Sequence, residues 1–397
     1  AGNGDHQGSG RVGGDGVMKK LLPEVCTIQY GFPFDSAKFS DSEGVPLIRI
    51  RDVVRGYSET FTTEEYKDEF LVHENDLLVG MDGEFNIAKW GKTPALLNQR
   101  VCRLMPKTNI DKGYLFYFMP IALKKIEEKT PFVTVKHLSA KELNKIEIPI
   151  LPVDEQKKIA TVLDKVSDLI SCRKQQLVKL DELVKARFVE MFGDPINNPM
   201  KWIVSKTEDI AAQEKNALKA GPFGSALKKE FYVKSGYKIY GQEQVICGDA
   251  SVGDYYIDEE KYKELKNCAV QAGDILISLV GTYGKTLIMP DNYEAGIINP
   301  RLMKITLNKN KVTPIYFKYY FESDALKASM DANTHGGTMG ILNLGIIRQM
   351  KIQVPPLSIQ NQFATFVERV AQQKQTVQQS LDKLELMKKA LMQEYFG

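Results

Sequence analysis

The stretch Gly281-Thr-Tyr-Gly-Lys-Thr has the residue types of a phosphate-binding loop. A P-loop also ends in Gly-Lys-Thr: its backbone N–H groups hold phosphates, the lysine reaches the terminal phosphates and the threonine hydroxyl binds magnesium. A P-loop needs a further glycine five residues before the second one, and Leu279 occupies that position. The spacing therefore disfavours a nucleotide-dependent enzyme, which we keep only as an alternative.

Other catalytic signatures are also incomplete. Asn299-Pro-Arg-Leu lacks the second proline and the aromatic ring with which adenine methyltransferases grip the amino group. No Gly-x-Gly-x-x-Gly fingerprint follows a strand, and four histidines do not support a Ser/His/Asp site. Glu-x-Lys triplets at 259–261 and 264–266 are expected by chance in a chain that is 26% charged. We predict a non-catalytic protein with no catalytic residues.

Composition limits the class of protein. A length of 397 residues predicts two or three domains, and a net charge of +3 means that a nucleic acid would be met by local patches. The five cysteines form no CxxC pair, which predicts neither a metal site nor disulfides and fits a reducing cytoplasm. The sequence contains no run of 18 apolar residues, so no membrane span is predicted. The Gly-rich residues 1–17 are expected to be a vector-derived leader.

The chain contains an internal duplication. Residues 134–193 align without a gap on residues 338–397, with 17 identities in 60 pairs. Upstream, Asp76-Leu-Leu-Val matches Asp274-Ile-Leu-Ile, and Asn98-Gln-Arg-Val matches Asn299-Pro-Arg-Leu. The Gly281 loop lies opposite Gly83-Glu-Phe-Asn-Ile-Ala, which has no Gly-Lys-Thr, so the shared part is predicted to be a turn after a buried strand.

Each repeat ends in a predicted long helix. Pro152 and Pro356 stop the preceding segments, and Asp154 and Ser358 are the expected N-caps. Apolar residues then recur every seven positions, which favours a coiled coil over the alternative that each helix only covers its own domain. The predicted seam consists of Leu163, Val166, Ile170, Leu177, Leu180 and Val184 on the first helix, and Val367, Val370, Val377, Leu381, Leu384 and Leu391 on the second.

The predicted fold class is α+β. Two similar mixed α/β domains are joined by two long antiparallel helices that form a coiled coil, with pseudo-twofold symmetry. The boundaries are residues 18–150 for the first domain, 151–194 for the central helix, 195–354 for the second domain and 355–397 for the C-terminal helix. The short strand-like and aromatic helical runs between them are expected to form cores.

Basic and amide side chains near the predicted turns are the candidate binding residues. Arginine and lysine can bind guanine, glutamine can bind adenine, and other cations neutralise phosphates. For any one of these residues, a position on an ordinary solvated face is an equally good reading. The set is Arg49, Arg51, Arg55, Lys89, Lys92 and Arg100 in the first repeat, and Lys238, Gln242, Gln244, Lys285 and Arg301 in the second.

The arrangement resembles the specificity (S) subunit of type I restriction-modification systems. The resemblance covers nearly all of the chain after Met18 and rests on Ile148-Pro-Ile-Leu-Pro-Val-Asp-Glu-Gln and Val354-Pro-Pro-Leu-Ser-Ile-Gln, each opening a helix that ends in Phe-Gly. Gly273-Asp-Ile-Leu-Ile-Ser and Asn98-Gln-Arg-Val are similar to segments of its target recognition domains. One departure is Ile359, where the family usually has the glutamate seen here at Glu155.

This resemblance implies a DNA-binding protein. Each target recognition domain would read one half of a split, asymmetric site in double-stranded DNA, and the helices would measure the gap. Two methyltransferase (M) subunits would use S-adenosylmethionine, and restriction (R) subunits would use ATP and Mg, so no cofactor is expected in this chain. The alternative is a stand-alone DNA-binding or scaffold protein.

Overall fold

The chain divides into two compact units. The computed structural model describes residues 11–12, 18–129, 136–280, 284–332 and 342–397, with side chains from residue 18 onward. Unit 1 comprises Ala1–Lys174 together with Gln379–Gly397, and unit 2 comprises Gln175–Gln378. Each unit therefore contains one globular segment and part of each long helix.

Unit 1 holds three small sheets. Their strand orders are β1-β2-β12, β4-β6-β5-β10-β7 and β3-β11-β8-β9. The strands are β1 Arg11–Val12, β2 Met18–Leu21, β3 Cys26–Tyr30, β4 Phe39–Ser40, β5 Val45–Ile48, β6 Phe61–Thr62, β7 Leu71–Val72, β8 Leu77–Gly80, β9 Asn86–Lys89, β10 Ala95–Leu97, β11 Val101–Pro106 and β12 Glu147–Pro149. The helices are α1 Leu22–Val25, α2 Ile50–Arg55, α3 Lys112–Lys129, α4 Ala140–Asn144 and the long helix α5 Val153–Phe192, which continues into unit 2.

Unit 2 also holds three small sheets among its described residues. Their strand orders are β13-β21, β14-β20-β17-β18 and β16-β15-β19. The strands are β13 Ile203–Lys206, β14 Leu218–Ala220, β15 Tyr237–Tyr240, β16 Tyr256–Ile257, β17 Ile275–Ser278, β18 Thr286–Ile288, β19 Gly296–Ile298, β20 Leu302–Ile305 and β21 Lys351–Val354. The helices are α6 Thr207–Ile210, α7 Gln242–Cys247, α8 Glu259–Glu264, α9 Pro314–Phe321, α10 Asp324–Ala332, α11 Leu344–Gln349 and the long helix α12 Leu357–Phe396, which ends in unit 1.

The duplication seen in the sequence is also a duplication of topology. The antiparallel sheet β3-β11-β8-β9 has its counterpart in β14-β20-β17-β18, strand for strand. Strands β8 and β17 are buried along their whole length, as their short apolar runs predict. An ion pair at the same place crosses both sheets, between Arg103 and Asp76 at 2.9 Å and between Lys304 and Asp274 at 2.9 Å.

Within each unit, parts of the two long helices pack together in opposite directions. In unit 1 the start of α5 shares a core with the end of α12, through Leu163, Leu391 and Phe396. In unit 2 the end of α5 shares a core with the start of α12, through Phe192 and Phe363. The predicted mixed α and β architecture with two long antiparallel helices is confirmed; the exact domain boundaries stay predictions.

The helix starts differ from the predicted caps. Helix α5 begins at Val153 and α12 at Leu357, so Asp154 and Ser358 lie within the first turn instead of preceding it. In each case the proline carbonyl accepts the first helical hydrogen bonds, as between Gln156 N and Pro152 O at 3.1 Å. Asp154 still suits its position because a carboxylate in the first turn interacts favourably with the helix dipole.

The residues predicted for the coiled-coil seam lie on the covered side of their helices. All twelve are buried or half-buried. Cations on the same side find partners: Lys374 Nζ lies 2.6 Å from Asp181 Oδ1, and Arg173 Nε donates to Ser380 Oγ at 3.2 Å. In the part of the chain that the structure describes, no helix is long and apolar enough to cross a membrane.

Candidate nucleic-acid interface

In each unit, a pair of parallel strands brings several of the predicted binding residues to one edge. Strand β5 pairs with β10 through Leu47–Leu96 and Ile48–Leu97, and β15 pairs with β19 through Tyr240–Ile298. Because parallel strands end on the same side, the residues after both strands meet there. A short helix follows one strand and an Asn-x-Arg turn follows the other. We call this edge the strand-end surface.

The short helices α2 and α7 begin at the strand-end surface in the same way. The Arg49 N–H donates to Asp52 Oδ2 at 2.9 Å, and the Gly241 N–H donates to Gln244 Oε1 at 2.8 Å. Each helix ends at a glycine in the left-handed region, with φ of 74° at Gly56. The backbone is thus conserved between the repeats while the exposed side chains on these helices differ.

In unit 1, three arginines project from the start and outer side of α2. Arg49 is exposed, and the side chains of Arg51 and Arg55 are 53% and 46% accessible to solvent. Their contacts are long: Arg51 Nη2 lies 3.3 Å from Thr60 Oγ1, and Arg55 Nη1 lies 3.7 Å from Glu59 Oε2. This weak pairing leaves three cationic groups at the surface.

Arg100 joins the same surface from the Asn98 turn. Its Nε lies 3.4 Å from Asp82 Oδ2, and the other oxygen of Asp82 contacts His137 Nδ1. Asp82 and His137 were not among the predicted binding residues. The position of Asp82, two residues after the buried strand and beside the shared Gly83, could have drawn attention to it. Nothing in the sequence connects His137 with a residue 55 positions away.

Lys89 lies at the far end of a hairpin from the turn that carries Arg100, and Lys92 lies near the end of α2; both stay predicted DNA contacts. In the β8–β9 hairpin, Asn86 pairs with Gly80 near the turn, whereas Lys89 pairs with Leu77 at the far end. Three residues of strand, at about 3.3 Å each, separate Lys89 from the turn end of the hairpin. Lys89 Nζ instead lies 3.4 Å from Asp164 on α5. Lys92 follows Gly91, which packs against Gly56 at the end of α2.

In unit 2, Gln242 and Arg301 meet at the strand-end surface. The Gln242 amide nitrogen donates to Ser278 Oγ at 2.9 Å and to the Val280 carbonyl oxygen. Its Oε1 accepts from Arg301 Nη1 at 3.4 Å. Both amide hydrogens of Gln242 are therefore directed into the protein, and its oxygen orients the arginine.

Two other predicted residues of unit 2 serve the fold, which corrects their assignment as DNA contacts. The Lys238 side chain is 1% exposed, with Nζ bonded to Glu294 Oε1 at 2.7 Å and to the Ser251 carbonyl at 2.8 Å. Gln244 is also buried; besides capping α7 it donates to the Val252 carbonyl at 2.8 Å. Because their polar atoms are paired inside the protein, neither side chain is free for DNA.

The Gly-Lys-Thr segment is only partly described, since Gly281–Tyr283 lie outside the described residues. Lys285 is exposed, but Thr286 is buried and its hydroxyl donates to Glu322 Oε1 at 2.7 Å. Although burial of Glu322 opposes it, Lys318 and Thr286 hold the pKa of that carboxyl below its ordinary value. A threonine hydroxyl committed to a carboxylate does not fit the magnesium-binding role of a P-loop.

Lys285 lies close to Lys327, with the carboxylates of Glu322 and Asp324 also nearby. Burial, and then the charge of Lys285, lower the pKa of Lys327. Lys285 is exposed and stays a predicted DNA contact.

The repeated fold and the paired strand-end surfaces define a class: two-repeat proteins that present the same backbone scaffold with different side chains. The sequence profile described as "Type I restriction modification DNA specificity domain" matches residues 14–182 and 199–386. The chain belongs to this family.

Individual relatives agree with this assignment. The chain is 26% identical over 382 residues to the type I restriction enzyme EcoBI specificity subunit of Escherichia coli, covering 90% of this chain and 79% of the relative. It is 22% identical to the MjaVIII specificity subunit of Methanocaldococcus jannaschii, covering 87% of each.

Two solved structures share the fold. The type I restriction-modification S subunit from M. genitalium superimposes with a TM-score of 0.56 at 14% identity, over 98% of each chain. A chain from a study of complex assembly and conformational transition of the type I R-M system gives 0.60 at 14% identity, over 95% of this chain and 97% of that one.

Proposed function

We propose that this chain is the DNA-recognition subunit of a type I restriction-modification complex. It reads a bipartite, asymmetric site in double-stranded DNA, with one half-site for the strand-end surface of each unit. The observation that carries the proposal is the repetition of one scaffold with different exposed side chains. Three arginines, Arg49, Arg51 and Arg55, occupy α2 and its start, whereas Gly241, Glu243 and Cys247 occupy the same places at α7.

The two long helices act as the ruler for the unread gap in this proposal. Each spans 40 residues, which at 1.5 Å per residue is about 60 Å. At about 3.4 Å per base pair this corresponds to an upper limit of roughly 18 base pairs. Half-sites one helical turn of DNA apart lie within that limit.

The chemistry is assigned to partner subunits. Two methyltransferase (M) subunits methylate adenine N6 with S-adenosylmethionine, and restriction (R) subunits use ATP and magnesium for translocation and cleavage. This chain supplies the recognition of the DNA sequence. The assignment is supported by the incomplete catalytic motifs and by Thr286, whose hydroxyl is held by Glu322.

Genome-wide mapping of N6-methyladenine tests the proposal. Cells that carry an M subunit are compared with and without this chain, and binding between the two proteins is verified by co-purification. We expect a new split motif only when the chain is present, which reports both half-sites and the gap together. If no motif appears although the complex forms, the chain is a DNA-binding or scaffold protein that does not direct modification.

A further inference from the structure

The two repeats allow contacts with the DNA backbone to be separated from contacts with the bases. Phosphate contacts set the register of a protein on DNA and carry no sequence information, whereas contacts with base edges specify sequence. If two copies of one scaffold read two different half-sites, side chains that are equal in both copies suit phosphates. This reasoning rests on the proposed function.

The Asn-x-Arg turn is the polar part of the strand-end surface that is equal in both units. The Arg100 carbonyl accepts from the Met81 N–H at 3.0 Å, and the Arg301 carbonyl accepts from the Leu279 N–H at 3.0 Å. Each hydrogen bond ties the turn to the residue that follows the buried strand β8 or β17. The two arginines are therefore anchored by the same backbone contacts.

The asparagine side chain of the turn accepts from a backbone N–H in both repeats, one residue further on in unit 1 and two residues further on in unit 2. Asn98 Oδ1 accepts from the Gln99 N–H at 2.8 Å, and Asn299 Oδ1 accepts from the Arg301 N–H at 2.9 Å. These bonds are local side-chain-to-backbone contacts of the kind that asparagine makes in turns. Neither bond uses the guanidinium group.

Both guanidinium groups are available for an anion. Arg100 is 54% accessible and Arg301 is also exposed, and each has a single long polar contact of 3.4 Å among the described residues. Arg103 makes the contrast: it is 12% accessible, and its guanidinium nitrogens bond to Gln29, Asp76 and two backbone carbonyls. Arg103 is built into the fold, whereas Arg100 and Arg301 are presented to solvent.

The groups that hold the two arginines differ between the units. Asp82 contacts Arg100, and Gln242 contacts Arg301. A fixed orientation lowers the entropy cost of ordering a long side chain on binding. The same function is thus supported by different neighbours, as expected when the surrounding side chains vary to suit different bases.

We propose that Arg100 and Arg301 are equivalent phosphate contacts, one in each half-site, and that neither selects a base. Sequence discrimination then falls to side chains that differ between the units, such as Arg49 and Arg51 on one side and Glu243 on the other. The planar guanidinium suits this role because it can bind two phosphate oxygens at once.

The test uses the full chain in complex with its M subunit and a duplex that carries the mapped motif. Arg100→Ala and Arg301→Ala are compared with Arg→Gln and Arg→Lys at the same positions. For each neutral substitution, the slope of log binding constant against log salt becomes shallower by about 0.9. The double substitution roughly doubles the change because distant sites add, and the lysine variants keep the wild-type slope.

Methylation mapping of the same variants completes the test. We expect the motif to keep every base in both half-sites. A change of base preference at one position in Arg100→Ala or Arg301→Ala overturns the inference, and so does an unchanged salt slope. If the wild-type chain directs no split motif, the proposed function itself has failed. This outcome is distinguishable from a failure of the phosphate-contact inference, which only the variants report.

Discussion

At the scale of single residues, two buried glutamines make the same contacts in the two repeats. Gln156 Oε1 accepts from the Asp111 N–H, and Gln360 Oε1 accepts from the Thr313 N–H, both at 2.8 Å. Each amide nitrogen donates to two backbone carbonyls, among them that of Pro355 for Gln360. The glutamine in the Pro-x-x-x-Gln pattern therefore locks the helix start to the domain core.

Replacing Gln360 tests this role. In Gln360→Met the side-chain volume is similar, but one buried N–H and two carbonyls lose their partners. We expect the free energy of unfolding of unit 2 to fall by about 3 kcal/mol, because each unsatisfied buried group costs roughly 1–3 kcal/mol. Urea unfolding followed by Trp202 fluorescence measures it, in a Trp90→Phe background that removes the only other tryptophan.

The exposed Gln362 on the same helix provides the matched control. Gln362→Met makes the same chemical change at the surface, and we expect a difference within about 0.5 kcal/mol of the parent. An equal fall in the free energy of unfolding in the two variants would mean that the buried hydrogen bonds of Gln360 do not stabilise unit 2.

At the scale of elements, each long helix ends in an aromatic residue that completes a core. In unit 1 the Phe396 ring lies 5.1 Å from the ring of Tyr114 and 5.9 Å from that of Phe118. In unit 2 the Phe192 ring lies 4.7 Å from that of Tyr316 and 5.4 Å from that of Phe363. The repeated Phe-Gly ending thus marks a packing contact.

Truncating the ring at the end of α12 should destabilise unit 1. Phe396 is only 7% exposed, so Phe396→Ala leaves a cavity in the core and should lower the free energy of unfolding by about 3–5 kcal/mol. Trp90, which is buried in unit 1, reports the transition in a Trp202→Phe background. The control is Leu386→Ala on the same helix, where the side chain is 69% exposed and we expect little effect. A small effect of Phe396→Ala would show that the contact is dispensable.

At the scale of the whole molecule, the linear order of the chain and its compact units differ. Unit 1 needs Gln379–Gly397 from the other end of the sequence. A target recognition domain is therefore incomplete without the last turns of α12. Any exchange of domains has to preserve the surface that receives Phe396.

Domain exchange tests the modular reading of the site. Residues 18–150 are replaced by the corresponding segment of another S subunit, with Tyr114 and Phe118 retained so that Phe396 keeps its pocket. Because each unit has its own strand-end surface, methylation mapping should show a change in one half of the motif only. The reciprocal exchange of residues 195–354 should change the other half. A single exchange that altered both halves would contradict the modular reading.

The amino-acid sequence by itself determined the duplication, the two long helices, the buried strands and the family. These features are local or repetitive: heptads, short apolar runs closed by glycine and a gapless self-alignment need no knowledge of distant contacts. The Asn-x-Arg matches also identified Arg100 and Arg301 as a pair.

Only the tertiary structure decided which polar side chains are free. Lys238 and Arg301 are both cationic candidates in the sequence, yet one is buried against Glu294 and the other is exposed beside Gln242. In the sequence Thr286 fits part of a phosphate-loop pattern. In the structure its hydroxyl donates to Glu322, which is 36 residues away along the chain. A charged or hydroxyl group is committed by the partners that the fold brings to it, and those partners lie too far along the chain for spacing to reveal them.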